Sequence, residues 1–344
     1  MKILYAIQGT GNGHLARATE IVPRLKEMAE THVLVSGIQG DIKLPFKIDY
    51  QLYGLSFIFG GKGGVNRLKT FLKLRPFRFL FDLIRLPVKQ YDLVLCDFEP
   101  VTAWACLLKR KTCIGISHQN AVLHPKAPKP ENTDLPGIQI LKYYAPATKK
   151  YGFHFTSLDE YNFTPVIRPA IRDTIPEDKG HYTVYLPAYN DEEIQPILSA
   201  FPHIRWEVFS KHSKHSYQHA NIIFKPVSLN EFTRSFVHCR GILCTAGFET
   251  PAEALFMGKK LCVIPMKNQY EQSCNATYLS WMGVTTLPEL RGQHQQLKHW
   301  LEENSVIRIN YPDETRKILQ NIISEELERT SAVKPSLCNS IQQK

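Results

Sequence analysis

The sequence predicts an α/β chain of two doubly wound, Rossmann-like domains with a cleft between them. Three observations predict it. Short β-branched runs alternate with helix-length amphipathic stretches from one end to the other, the pattern of parallel sheets wrapped by helices. The 344 residues suit two domains of ~150 residues each. Near the midpoint, Pro165, Pro169 and Pro176 interrupt the alternation in TPVIRPAIRDTIPEDKG, residues 164–180.

In the first half, strands are expected at 2–7, 32–36, 92–96, 112–116 and 151–155. Helices are expected between them at 14–29, 66–86 with a break at Pro76, and 100–109. The second half repeats the pattern, with strands at 182–186, 205–209, 221–224, 241–244 and 260–264. Its helices are expected at 191–200, 229–237, 250–257 and 271–282. The domains are therefore drawn at 1–165 and 166–328, with a further helix at 311–328 able to pack on either and a disordered polar tail at 329–344.

Composition excludes several classes. Apolar residues make up 43% and charged residues 22%, and no run of ~18 apolar residues is present to cross a bilayer. The start, MKILYAIQGTGNGH, ends its short apolar run in a glycine loop and reads as a first strand rather than a targeting segment. Eight cysteines are too sparse for a disulfide scaffold, and Cys96, Cys113 and Cys262 fall inside apolar runs as reduced core thiols, so a cytoplasmic chain is expected. The net charge of +10 is uneven: residues 62–90 hold eight Lys or Arg against the single acid Asp82. Phe71, Phe77, Phe79 and Phe81 lie among those cations, a combination that suits an anionic membrane surface or a helix pair with a charged outer face. No nucleic-acid module is recognisable.

After the first strand, Gly9-Thr10-Gly11-Asn12-Gly13-His14 leads directly into a helix. Glycines let backbone amides approach a ligand, and a helix start favours an anion. The third glycine is one residue early for a dinucleotide fingerprint, and the second strand ends at Val35-Ser36-Gly37 without an acid for a ribose. Gly61-Lys62 lacks the offset glycine and the following Ser or Thr of a P-loop. His14 is placed over the cleft at the carboxyl edge of the sheet.

The second half carries a strand, a glycine turn and a helix in Arg240 to Leu255, RGILCTAGFETPAEAL. Thr250 and Pro251 suit a helix start, where amides and a hydroxyl can hold a diphosphate. Glu253, about one turn on, can accept from both ribose hydroxyls, which makes this a nucleotide-diphosphate site. The next loop offers Glu271 and Gln272 side by side, an acceptor and a donor for sugar hydroxyls.

These residues resemble the GT-B glycosyltransferases of the MurG-like and UDP-glycosyltransferase-like group. GTGNGH looks like its glycine loop, Ser117 to Val122 like its acceptor-side segment, and AGFETPAEA with QSCNA like its donor signature. The similarity is greatest to a bacterial and archaeal set with GxGxGH and an Asp-Phe-Glu-Pro segment, here Asp97 to Pro100. The resemblance implies a GT-B fold and transfer of a sugar from a nucleotide-diphosphate donor, a UDP-sugar, to a hydroxyl of a glycan, a lipid-linked or a small-molecule acceptor. It implies Thr245, Ala246, Gly247, Phe248 and Thr250 around the diphosphate, Glu253 at the ribose, Val227 at the base, and Glu271 with Gln272 at the donor sugar. It further implies His14 as general base oriented by Asp97, with Gly11, Asn12, Gly13, His118 and Asn120 on the acceptor side. Thr245 and Glu249 depart from the usual His and Asn. The chemistry implied is inverting and metal-independent, with no cofactor, since the nucleotide sugar is a substrate. A sugar-nucleotide 2-epimerase and a non-catalytic sugar-nucleotide-binding subunit are the alternatives.

Overall fold

The computed structural model describes residues 1–339 except 39, 57, 59, 65–69 and 71. The opening turns of the helix expected at 66–86, with Arg67, Lys69 and Phe71, and the last five residues of the chain lie outside the described residues.

The first half is a sheet of seven parallel strands. They are β1 (Lys2–Gln8), β2 (Glu30–Ser36), β3 (Tyr50–Leu52), β4 (Leu93–Asp97), β5 (Ile114–Ser117), β6 (Lys149–Phe153) and β7 (Asn162–Phe163), in the order 3-2-1-4-5-6-7. The second sheet contains β8 (His181–Tyr185), β9 (Arg205–Ser210), β10 (Tyr217–His219), β11 (Ile222–Pro226), β12 (Gly241–Thr245), β13 (Lys260–Ile264) and β14 (Thr285–Thr286). Its order is 10-11-9-8-12-13-14, and β10 alone runs antiparallel. Strands covered on both faces must be apolar along their length, and β4, β12 and β13 are buried throughout. The expected two doubly wound units are therefore present. The strands that sequence did not disclose, β3, β7, β10 and β14, have two or three residues at sheet edges, too few for a period to show.

Each sheet has a switch point at which neighbouring strands send their chains to opposite faces. In the first it lies between β1 and β4, whose register sets Ile7 opposite Asp97. In the second it lies between β8 and β12, with Cys244 opposite Tyr185. Ligands of open α/β sheets bind at such points, and here the two face one another.

Three elements refine what was expected. The proline-rich junction contains a helical turn, Pro169–Arg172, because Pro169 sits at a first helical position where its missing N–H is no loss. Thr70 and Leu72 are helical and residues 73–75 are not, so the break falls just before Pro76, which starts the helix Pro76–Arg85. Leu83 alone of that helix is buried, while Phe77 is 87% and Ile84 61% exposed, so it is no core-facing pair. The last helix, Thr315–Asn339, returns to the first half and continues into the stretch expected as a disordered tail. Ile318, Leu319, Ile322 and Ile323 join the core that includes Leu25 and Tyr151, and Tyr151 donates to Glu325 at 2.7 Å. Residues 315–328 thus pack on the first helix, within a core to which both halves contribute.

Truncating Ile322, which is 1% exposed, to Ala should cost about 2–4 kcal/mol in denaturant unfolding. A loss below about 0.5 kcal/mol would mean that the returning helix is not packed.

Candidate active site

The site begins at the carboxyl end of β1. Gly11 caps the helix Asn12–Met28 with φ +94°, a conformation that glycine adopts without steric cost, and no side chain caps that helix start. His14 and Arg17, three residues apart, share one face of the helix. That face looks at Asp97, the last residue of β4, whose side chain is wholly buried.

Asp97 is gripped from two elements, the first helix and β1. His14 Nδ1 lies 2.8 Å from its Oδ1, Arg17 Nη2 and Nε donate to Oδ1 and Oδ2 at 2.6 and 3.1 Å, and the Tyr5 hydroxyl donates to Oδ2 at 3.2 Å. Burial works against its charge, but Arg17 and His14 outweigh burial and hold it below the usual carboxylate range. Burial, reinforced by Asp97, pushes the Tyr5 phenol up. The neighbouring Phe98 has φ +54°, a left-handed conformation that costs a non-glycine residue energy, and its ring lies parallel to that of His14. Glu99, not Asp97, caps the next helix, accepting from the amides of Val101 and Thr102 at 2.7 Å each. Asp97 is thereby left to the cleft.

The second half presents the turn after β12. The helix Glu249–Met257 starts there without a side-chain cap, so its first amides are open to an anion. Thr245, Gly247 and Thr250 line the space between this start and His14, and Phe248 is buried against His118. Ala246 has both main-chain groups engaged within the protein: its N–H donates to the Ile264 carbonyl and its carbonyl accepts from the Asn275 side chain. Glu249 reaches across the cleft to Arg17 Nη1. Burial, against the pull of Arg17, raises the Glu249 carboxyl to about 7.

Three adjoining cavities result, the first two sharing Asn12, Gly13 and Thr250 and the last two sharing His14, Gln119 and Glu271. The smallest is lined by Val227, Tyr185, Phe232, Thr250 and Glu253. Glu253 is bound bidentately by Arg168 at 2.6 and 2.7 Å, which fixes its carboxylate and offsets its burial. The middle cavity runs from Gly11, Asn12 and Gly13 past His14 to Gly247 and Thr250. The third, on the far side of His14, has Phe98, Ile140, Leu141 and Tyr270 as apolar walls. Glu271 borders both of these, raised by burial and accepting from Gln119 at 2.9 Å. Gln272 lines the middle one while its Oε1 accepts from the Met266 amide at 2.9 Å.

Of the expected acceptor-side residues, His118 borders the middle cavity but is braced between the halves, and Asn120 is turned to the first sheet. His118 is buried between the halves: its Nδ1 donates to the Phe153 carbonyl at 2.8 Å, Nε2 meets the Asn275 amide group at 2.7 Å, and the ring stacks on Phe248 at 3.9 Å. Burial pushes it down to about 4, so it is a neutral brace. Asn120 donates to the Tyr151 carbonyl at 2.9 Å and ties a helix to β6. Gln119, which the sequence reading passed over, also lines the cleft, 3.3 Å from His14 Nε2. Arg17, Tyr5 and Arg168 were also missed. Only Arg17 carried a signal, its spacing from His14.

The model of glycosyl transferase family 1 matches residues 1–303, and the chain belongs to that family. Among solved structures it is similar to MurG of Acinetobacter baumannii, at 14% identity and a TM-score of 0.53 over 94% of this chain and 99% of that one. It is also similar to MnaA of S. aureus solved with UDP, at 11% identity and 0.57 over 95% and 97%. UGT2 of Phytolacca americana, solved with UDP-2fluoro-glucose and pterostilbene, matches at 13% and 0.55 over 94% and 99%. These likenesses are of fold, which is GT-B. No curated protein matches the chain.

The raised Glu249 carboxyl has a consequence for stability. Between about 4.5 and about 7 the folded chain holds a proton there that the unfolded chain releases, so this contribution falls as pH rises through that window. In thermal melts from pH 5 to 8, Glu249→Gln should lose less stability than the parent chain. Parallel melting curves would show that the carboxyl is not perturbed.

Proposed function

We propose that this glycosyl transferase moves a sugar from a nucleotide diphosphate, most simply a UDP-sugar, to an acceptor hydroxyl with inversion. The observation that carries the reading is that His14 borders two cavities at once, one reaching the uncapped helix start at Gly247–Thr250 and one walled by Phe98, Ile140, Leu141 and Tyr270. The nucleoside takes the smallest cavity, with its base beside the Val227 backbone and its ribose at Glu253. The diphosphate lies along the helix start, with the donor sugar between Glu271, Gln272 and His14. Thr245, Phe248 and the glycine loop shape that middle space.

In the reaction His14, held by Asp97, takes the proton of the acceptor hydroxyl as its oxygen forms a bond to the anomeric carbon. The bond from that carbon to the diphosphate oxygen breaks on the opposite face. The departing negative charge is met by the helix-start amides and the positive end of the helix dipole, a preorganised stabiliser that calls for no metal. An acceptor with apolar character suits the third cavity. If the chain instead epimerises the donor, a nucleotide sugar incubated alone would yield a new epimer by NMR.

No helix among the described residues is long and apolar enough to cross a membrane. Contact with an anionic membrane surface fits the helix Pro76–Arg85, whose exposed Phe77, Leu80, Phe81 and Ile84 sit beside Arg75, Arg78 and Arg85. Phe79 of this helix and Phe98 of the third cavity pack against the same apolar cluster, so a surface-bound chain would present that cavity to lipid-linked acceptors.

Replacing His14 with Ala should lower kcat by about 10²–10⁴ while a nucleotide sugar still raises the melting temperature. Turnover that survives the substitution would remove His14 as the base. With EDTA present, transfer should proceed unchanged; loss restored by a divalent ion would refute the metal-free mechanism. Phe77→Glu should release the chain from phosphatidylglycerol vesicles in co-sedimentation, whereas no difference between variant and parent would dismiss the membrane contact.

A further inference from the structure

We propose that Arg17 is a positioning residue that couples closure of the two halves to the alignment of the His14–Asp97 pair. The proposal rests on the transferase reading for its catalytic meaning, but its physical content concerns this chain alone. The Arg17 guanidinium joins two carboxylates from opposite halves: Nε and Nη2 hold Asp97 at 3.1 and 2.6 Å, and Nη1 holds Glu249 at the start of the facing helix. Arg17 is 1% exposed, so water does not replace either partner while the cleft is shut. Breaking such a buried pair by removing one partner is costly.

The planar fork is what makes this a coupling rather than two separate ion pairs. Guanidinium N–H groups keep fixed directions, so satisfying Glu249 with one edge sets the angle at which the other grips Asp97. His14, one turn back on the same helix, shares that Asp97 oxygen. Three further bridges across the cleft do not touch the pair. Asn12 donates to the Tyr185 hydroxyl at 2.9 Å, Lys211 meets Asp41 at 2.8 Å, and the Gly61–Gly64 segment bonds through its main chain to Ala188, Asn190 and Lys267. Gln119 is an uncharged second link, between His14 and Glu271. When the halves part, Glu249 withdraws and the fork is free to turn. The pair is then no longer aligned for an acceptor proton, and a bound donor is guarded against hydrolysis in the open state.

Small-angle scattering of the unliganded chain, nitrogen NMR of the His14 ring and steady-state kinetics together test this on Glu249→Ala, Glu249→Gln and Arg17→Lys. Glu249→Ala should enlarge the radius of gyration, move the His14 ring-nitrogen shifts and lower kcat by about 10- to 100-fold, with donor KM changed far less. Glu249→Gln, which still accepts from Nη1, should recover most of the closure and rate. Arg17→Lys, which cannot span both carboxylates, should behave like Glu249→Ala. An unchanged radius of gyration or unchanged His14 shifts in Glu249→Ala and Arg17→Lys overturns the coupling, as does a loss of folded protein with full kcat in what remains. If the parent chain transfers no sugar, the functional reading fails by itself, and the scattering and NMR still decide whether Arg17 couples closure to the pair.

Discussion

The cleft is organised around one buried charge. A carboxylate removed from water is costly unless opposite charge and hydrogen bonds surround it, and Asp97 has no exposed surface. Its partners come from β1 (Tyr5) and from the first helix (His14 and Arg17), and Arg17 extends the network to Glu249 of the other half. The strand register that sets Ile7 opposite Asp97 makes this possible, because it brings the ends of β1 and β4 level. Tyr5, His14 and Arg17 can then converge without a long loop.

The second half answers with a similar device. Glu253 is buried but fixed by Arg168, which comes from the junction between the halves and also reaches Thr233. A residue of the connecting segment therefore holds an acid of the expected donor site, tying the path of the chain to the shape of the smallest cavity. His118 and Phe248 stack across the boundary, with Asn275 closing the far side. These contacts are uncharged and dry, and suit a hinge face that separates and rejoins without leaving an ion unpaired.

Much of this was legible in the sequence where it depended on neighbours in the chain. The glycine loop before His14, the uncapped turn before Thr250 and the strand ending at Asp97 are local strand-turn-helix patterns, and each lies close to where its pattern put it. Partners distant in sequence were not legible. Nothing local marks Arg168 as the counter-ion of Glu253, 85 residues away, and its basic, proline-rich surroundings read as solvated linker. His118, Gln119 and Asn120 show the limit of motif reading in another way. They lie on one short helix, His118–Val122, where successive side chains point in different directions, so His118 and Gln119 border the cleft while Asn120 turns to the first sheet. The final helix was anticipated, but its docking on the first helix rests on Ile318, Leu319, Ile322 and Ile323 meeting a core to which both halves contribute.

Calorimetric titration with UDP and a set of nucleotide sugars, on the parent chain and on Glu253→Ala, tests the central claim most directly. Saturable binding of a nucleoside diphosphate and its sugar to one site, weakened at least tenfold by the substitution, is the expected result, since Glu253 would hold the ribose with a charge-assisted pair of hydrogen bonds. Absence of heat with every compound, or equal affinity in the two chains, would contradict the assignment of the cleft.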